Sequence, residues 1–304
     1  MQDIIAKGTA GKDITWNLTD DGMLILDGTG EITNLHSFDL PDLRLREKIK
    51  EIIIPETITQ IGKTSFSRCK NIQSVNIPHN ITLIDEEAFM CCENLTNVII
   101  WGDGVSIGNK AFHRCENLIT VSIKGTITRI GDYAFWECFN LTNIDIPNNV
   151  EFIGEYAFAN CESLKNIIIP KGIKKINTGC FLECLQLKNI IIPDNVVDIE
   201  TFAFSGCHNL ATITLSNNIT FIKTNTFAGC TELKFINIPK KVIKLENGCF
   251  AGCINLEKVI ISNPNIMTIC RSAFLNCRQL KNINITDSTT FEENAFKGCN
   301  NLRF

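Results

Sequence analysis

From residue 49 onward the hydrophobic and polar positions recur in one fixed order with a period of 23 residues. The clearest copy is Ala157–Gly179, A-F-A-N-C-E-S-L-K-N-I-I-I-P-K-G-I-K-K-I-N-T-G, after which Cys180-Phe181 begins the next. Phenylalanine keeps the beat at Phe66, Phe89, Phe112, Phe135, Phe158, Phe181, Phe204, Phe227, Phe250, Phe274 and Phe296, in steps of 23 except for one of 24 and one of 22. A cysteine follows each by three residues, and a leucine (Ile72 in the first copy) follows each cysteine by three. A fixed period of about 20–50 residues marks a solenoid, in which no copy buries its apolar face alone and stability comes from stacked neighbours.

Within each copy, L-x-x-I-x-I predicts a strand with one face inward. Its central slot falls at Ile52, Val75, Val98, Val121, Ile144, Ile167, Ile190, Ile213, Ile236, Val259 and Ile283. Pro55, Pro78, Pro147, Pro170, Pro193 and Pro239 end the strand, because proline has no N–H to give the ladder. A second apolar step, as in Val150-x-x-Ile153, predicts a strand-like segment on the other side of the coil, with the Phe-Cys-Leu stretch as the corner between them. Phe135, Cys138, Leu141, Phe158, Cys161, Leu164, Phe181, Cys184 and Leu187 are the anchors of the central copies. Eleven strands at about 4.8 Å would make an array of about 50 Å.

Residues 3–48 do not follow the repeat. Ile14, Trp16 and Leu18 alternate with polar residues, Thr19-Asp20-Asp21-Gly22 is turn chemistry, and Leu24 and Leu26 alternate again before Gly28-Thr29-Gly30. The expected organisation is therefore a β-hairpin cap with an irregular or partly helical connector over residues 1–48, then the solenoid over 49–304. A dissimilar terminal unit would cover the apolar end of the stack. The chain stops at Asn301-Leu302-Arg303-Phe304, where a twelfth strand would begin, which reads as a truncated, frayed or otherwise covered end.

The composite C-x-x-L-x-x-I-x-I-P-x-x-V-x-x-I-G-x-x-A-F resembles the BspA-like leucine-rich repeat family, also called the Treponema-type class, over residues 49–304. Gly8-Thr9-Ala10-Gly11, Trp16, Asp21-Gly22-Met23-Leu24 and Gly28-Thr29-Gly30 resemble the stretch that often precedes these repeats in bacterial members. Trp101, Lys124, Ser216, Ser262 and Thr286 depart from the pattern by replacing the proline, which weakens strand termination locally. The fold expected is a leucine-rich-repeat right-handed superhelix or horseshoe, a mainly β solenoid. The resemblance implies a surface or secreted protein that adheres to host matrix proteins or other cells, and it brings no catalytic residues with it.

The net charge of −4 is uneven: −4 over residues 1–48, −5 over 49–160 and +5 over 161–304. The basic part is too weak and too mixed with acids to be a nucleic-acid footprint. No apolar run approaches a membrane span, and Met1–Gly11 lacks the basic start and apolar stretch of a secretory signal. The chain as it stands reads as soluble, either cytoplasmic or exported with its signal removed. Of its 15 cysteines, eleven hold one slot of the repeat, and Cys180 and Cys249 replace the alanine before phenylalanine. The slots select for small and apolar, so a column of buried, reduced thiols is expected. In-register parallel side chains also fit the disulfide dihedral poorly.

No constellation of chemistry converges. Gly8–Asp13 fails the spacing of a phosphate loop, and Gly28-Thr29-Gly30 lacks the third glycine of a dinucleotide loop. His36, His79, His113 and His208 fall in different columns, and the C-x₃-C pairs Cys180/Cys184 and Cys249/Cys253 lie three coils apart. No cofactor, metal site or catalytic residue is expected, and Cys91 is the thiol expected at the surface. The sequons at Asn17, Asn80, Asn94, Asn140, Asn218 and Asn284 mostly fall where the repeat itself writes N-L-T or N-I-T.

The functional signal is the outward strand face. Its slots put an Asn/Thr/Ser stripe beside bare isoleucines, with Ile99, Ser122, Asp145, Asn166, Ile168, Asn189, Ile191, Phe235 and Ile260 as the candidate protein-binding residues. A good β-former facing either way would produce the same isoleucines without a partner. The expectation is a non-enzymatic protein-binding solenoid, the recognition region of a cell-surface or secreted adhesin. An intracellular protein scaffold and a structural spacer are the alternatives.

Overall fold

The computed structural model describes residues 3–33, 43–263 and 268–303, so His36 and most of the connector lie outside the described residues. The chain forms two compact units, Met1–Cys161 and Glu162–Phe304. Each unit is a mainly β solenoid whose coils are one repeat long.

Unit 1 begins with β1 (Ile4–Thr9), β2 (Ile14–Thr19) and β3 (Met23–Gly28), an antiparallel meander rather than a single hairpin. A short β4 (Gly30–Ile32) and a four-residue helix α1 (Leu43–Arg46) follow. Trp16, Leu18, Leu24 and Leu26 pack inward from the meander. It continues both sides of the coil stack: β3 pairs in parallel with β5 (Glu51–Ile53), Leu24 opposite Ile52, and β4 pairs in parallel with β6 (Ile58–Ile61), Ile32 opposite Ile61.

Beyond this start, two parallel ladders run through the unit at an offset of one repeat. Val75 lies opposite Val98, Val98 opposite Val121 and Val121 opposite Ile144 on one side. The second apolar step forms true strands on the other side, such as Ile127–Ile130 beside Phe152–Ile153. Unit 2 repeats the scheme, with Ile190 opposite Ile213, Ile236 opposite Val259, and Lys175–Ile176 beside Asp198–Ile199. One expected strand is missing: ladder strands hold ten of the eleven central slots, and Ile167 is not among them. The segment around Ile167 meets the next coil through Gln186 N–H to Glu162 O at 3.0 Å and Lys188 N–H to Lys165 O at 3.4 Å, bonds that stop short of Ile167 itself.

Each proline does more than end a strand. Pro55, Pro78, Pro147, Pro170, Pro193 and Pro239 accept the N–H three residues on, at 2.9–3.3 Å, closing the turn into the second strand. Where proline is replaced the ladder runs one residue further, as when Trp101 N–H donates to Ile77 O at 3.0 Å and Lys124 N–H to Ile100 O at 2.7 Å.

The Phe-Cys corner is the most regular part. Phe66 N–H donates to Ala88 O of the following coil and Phe89 N–H to Ala111 O, each at 2.8 Å, and the residues two before and two after each phenylalanine bond the same way. To aim three alternate N–H groups at one neighbour, the backbone turns left-handed at both flanking positions. In unit 1 all ten are non-glycine, among them Thr64, Glu87, Tyr133 and Tyr156, whereas in unit 2 six of twelve are glycine. The phenylalanine rings stack at 5.2–5.3 Å from Phe66 to Phe158 and at 5.4–5.7 Å from Phe181 to Phe296. Offset stacking of this kind adds about 0.5–1.5 kcal/mol per pair beyond burial.

The cysteine column has a specific partner. Cys92 Sγ donates to Phe66 O at 3.1 Å, Cys115 to Phe89 O, Cys138 to Phe112 O and Cys161 to Phe135 O, each at 3.2 Å. Cys207, Cys230, Cys253, Cys277 and Cys299 do the same in unit 2 at 3.1–3.3 Å. All 15 cysteines are free, and only Cys91 and Cys299 are partly exposed. Burial pushes the Cys69 and Cys253 thiols up to about 12, which keeps both protonated, Cys253 as the donor to Phe227 O.

The first corner has no preceding coil of its own kind, and Arg46 takes that place. Its guanidinium, buried at 2% exposure, donates to Ser67 O at 2.6 Å and to Ser65 O at 3.4 Å. These carbonyls correspond to Met90 and Ala88, which in the next corner accept from Arg68 and Phe66 N–H. The single nitrogen Nη1 thus stands in for two backbone donors, and burial lowers the guanidinium pKa.

Three outcomes follow from this corner. Arg46→Met should strand two buried carbonyls and cost about 2 kcal/mol or more in denaturant unfolding, with amide exchange at the first corner accelerated; an unchanged midpoint would remove the capping role. Thr64→Gly relieves a β-branched residue at φ 55° and should stabilise by up to about 1 kcal/mol, whereas Thr64→Ala should not. An aromatic-disulfide thiol assay should count at most two thiols, Cys91 and Cys299, in the native chain and 15 after denaturation without reductant.

Candidate protein-binding face

The anchors Phe135, Cys138, Leu141, Phe158, Cys161, Leu164, Phe181, Cys184 and Leu187 are fully buried, so they shape the coils and touch no partner. The binding candidates lie on the outward side of the strand ladders, but their exposure differs widely. In unit 1, Ile99 and Ser122 are half-buried between flanking strands and Asp145 is exposed. In unit 2, Asn166, Asn189 and Phe235 are exposed and Ile260 is half-buried.

Ile168 and Ile191 stand apart. They are 74% and 70% exposed, the highest values among the described large hydrophobic residues. They hold the same slot on adjoining coils, whose backbones are joined by the Lys188–Lys165 bond. Asn166 and Asn189 share their face, Lys165 and Lys188 are exposed beside them, and Thr214 is the ladder partner of Ile191. Lys165, Lys188, Lys234 and Lys258 form no ion pair among the described residues, while Lys281 is paired with Glu257 at 3.2 Å. A cleft of about 500 Å³ beside the patch is lined by Lys188, Asn189, Ala211 and Glu232.

Unit 1 holds a second concavity that sequence patterning did not single out. A cleft of about 520 Å³ is floored by Ile53, Asn76 and Ile99 and walled by Glu51, Glu56, His79 and Trp101. The signal was present: Trp101 is the one aromatic side chain in the proline slot, so its ring sits at the strand end where proline would leave nothing to bind.

The remaining sequence candidates resolve into structure. Asn80 Nδ2 donates to Glu56 O at 2.5 Å, Asn140 to Glu116 O at 3.0 Å, Asn218 to Asp194 O at 2.6 Å and Asn284 to Ile261 O at 2.9 Å, so these sequon amides tie coils together. His79 bonds Glu56, and His113 packs against Trp136 at 5.0 Å. Burial, reinforced by nearby Arg114 and Lys110, pulls the His113 pKa down to about 4, and its Nδ1 has no hydrogen-bond partner. Among the described residues no three His, Cys, Asp or Glu side chains are grouped to hold a metal ion, and no helix is long and apolar enough to cross a membrane.

With the geometry in hand, the chain can be set beside known proteins. Among solved structures it is similar to a leucine-rich repeat protein from Bacteroides ovatus, at 24% identity and a TM-score of 0.62, over 96% of this chain and 80% of that one. It is also similar to a leucine-rich repeat protein from Eubacterium ventriosum, at 22% identity and a TM-score of 0.54, over 96% and 94% of the two chains. At these identities the likeness establishes the fold alone. No curated protein matches it. The BspA type leucine rich repeat region, a six-copy description, matches residues 45–162, 84–207, 128–253 and 174–303. These overlapping stretches run through most of the chain, which therefore belongs to the BspA-type leucine-rich repeat family.

Proposed function

We propose that this chain is a non-enzymatic recognition element that binds protein through its outward strand face, with Ile168 and Ile191 at the centre of the contact. One observation carries the reading: two isoleucines on adjoining coils are about three-quarters exposed on a face whose neighbouring slots are Asn, Thr and Lys. An apolar patch with a polar rim is the anatomy of a protein contact, and each isoleucine is worth about 1.5–3 kcal/mol once buried. Family membership supports the further step, that the partner is a host matrix or cell-surface protein and the chain an adhesin displayed on or released from a cell. Free thiols favour the rival reading of an intracellular scaffold that uses the same face. Burial and raised pKa values make column thiols such as Cys69 and Cys253 poor nucleophiles, which is compatible with an oxidising exterior as well.

The test is surface-plasmon binding of the whole chain to immobilised fibronectin, laminin and collagen. Ile168→Lys with Ile191→Lys should weaken capture by well over tenfold while the far-ultraviolet circular dichroism stays unchanged. Equal capture would move the contact elsewhere, and failure of the unaltered chain to bind any of the three would overturn the matrix-adhesin reading.

A further inference from the structure

The cleft of unit 1 differs chemically from the isoleucine patch of unit 2. Its floor is aliphatic at both ends, with Asn76 between: Ile53 is 40% exposed, and Ile99 is half-buried two strands away in the same column. Trp101 is 40% exposed, and its ring rests against His79, centroids 5.5 Å apart and tilted by 33°. Glu56 is held in place from two directions: one carboxylate oxygen accepts His79 N–H at 3.0 Å and the other meets His79 Nδ1 at 3.2 Å. Glu51 faces the cleft from the opposite end of the same strand, on the same face as Ile53.

Neither carboxylate has a lysine or arginine partner among the described residues. Elsewhere in the unit, acids beside cations are paired, as in Lys63–Glu86 at 2.5 Å, Lys70–Glu93 at 2.7 Å and Arg114–Glu137 at 3.2 Å. The cleft thus combines a largely hydrocarbon floor, an indole of the kind best suited to cations, and two carboxylates without a lysine or arginine partner. The unit itself is acidic, with net −9 over residues 1–161 against +5 over 162–304. That set is complementary to one side-chain type, a methylene stem ending in a cation.

We infer that this cleft is a subsite for a lysine or arginine side chain of the bound protein. The stem lies along Ile53 and Ile99, the ammonium or guanidinium sits over Trp101, and Glu51 and Glu56 supply the charge. His79 is a positioning residue that fixes the Glu56 carboxylate and the Trp101 ring. The inference rests on the protein-binding reading, to which it adds the chemistry of one contact. It also implies a partner that presents a basic residue to unit 1 and an aliphatic surface to unit 2.

The test is a ¹H–¹⁵N titration of the full chain with Nα-acetyl-lysine amide, following the indole N–H signals of its three tryptophans. Trp16 is buried in the meander and Trp136 packs against His113, so both are internal controls. The Trp101 signal, assigned with Trp101→Phe, should move saturably and the other two should stay. Nα-acetyl-norleucine amide, which keeps the stem and lacks the charge, should bind at least tenfold more weakly, as should lysine amide to Glu51→Gln with Glu56→Gln. Added salt should weaken the lysine titration. Equal affinity for norleucine, or full affinity in the double glutamine variant, would overturn the cation subsite. Ile168→Lys with Ile191→Lys should leave this titration intact. An intact titration in a variant that still captures matrix protein fails only the isoleucine patch; a lost Trp101 response in a chain that still captures it fails only the cleft.

Discussion

The structure depends on one interaction, the hydrogen-bond ladder at the Phe-Cys corner. Strands on either side are as short as two residues, too short to hold a coil by themselves. At the corners within each unit, three alternate N–H groups of one coil reach the carbonyls of the next, as Thr64, Phe66 and Arg68 do. Geometry then forces the rest. Two flanking residues must turn left-handed, the phenylalanine must stack on its neighbour, and the phenylalanine carbonyl takes a second donor from the cysteine of the following coil. A thiol fits because it is nearly apolar and still carries a weak donor.

The same ladder explains Arg46. A stack of identical coils always has a first member whose carbonyls face outward with no donor above them. A buried guanidinium is an expensive way to supply donors, since its charge must be desolvated. It is used here because one nitrogen, Nη1, carries two N–H bonds and serves both Ser65 O and Ser67 O from beyond the end of the stack.

Function is then left to the positions that the coil does not need. The outward strand slots are less bound by stacking than the inward ones, although some pair between coils, as Thr120 does with Asn97 and Thr212 with Asn189, so they differ from coil to coil and do so differently in the two units. Unit 1 gathers carboxylates and an indole around two isoleucines; unit 2 sets two bare isoleucines among asparagine and lysine. The sequon asparagines also serve the coil, their amides engaged between neighbouring coils. A motif shared with glycosylation is here a consequence of how the repeat closes its turns.

The periodic part of this protein was legible in its sequence: the coil length, the inward Phe, Cys, Leu and Ile, the turn at each proline and the outward isoleucines all follow from spacing, because identical slots meet identical neighbours. What broke the period was legible only in part. That segment 3–33 is a meander continuing both ladders depends on pairings between strands far apart in sequence, which no local pattern encodes. Ile167 has the same local sequence as its neighbours yet lacks a ladder strand, since strand formation is decided by the adjoining backbone. The left-handed corners could have been suspected from Gly206, Gly229, Gly252 and Gly298, but ten non-glycine residues in unit 1 hid them. Exposure itself was the largest gap: Ile99, Ile168, Ile191 and Ile260 occupy one slot, and only the tertiary structure separates two half-buried side chains from two that stand in water. The sequence alone determined which way each side chain points, because that depends on its own backbone. How much of it meets solvent depends on the side chains of the coils beside it, and those are brought together only by the fold.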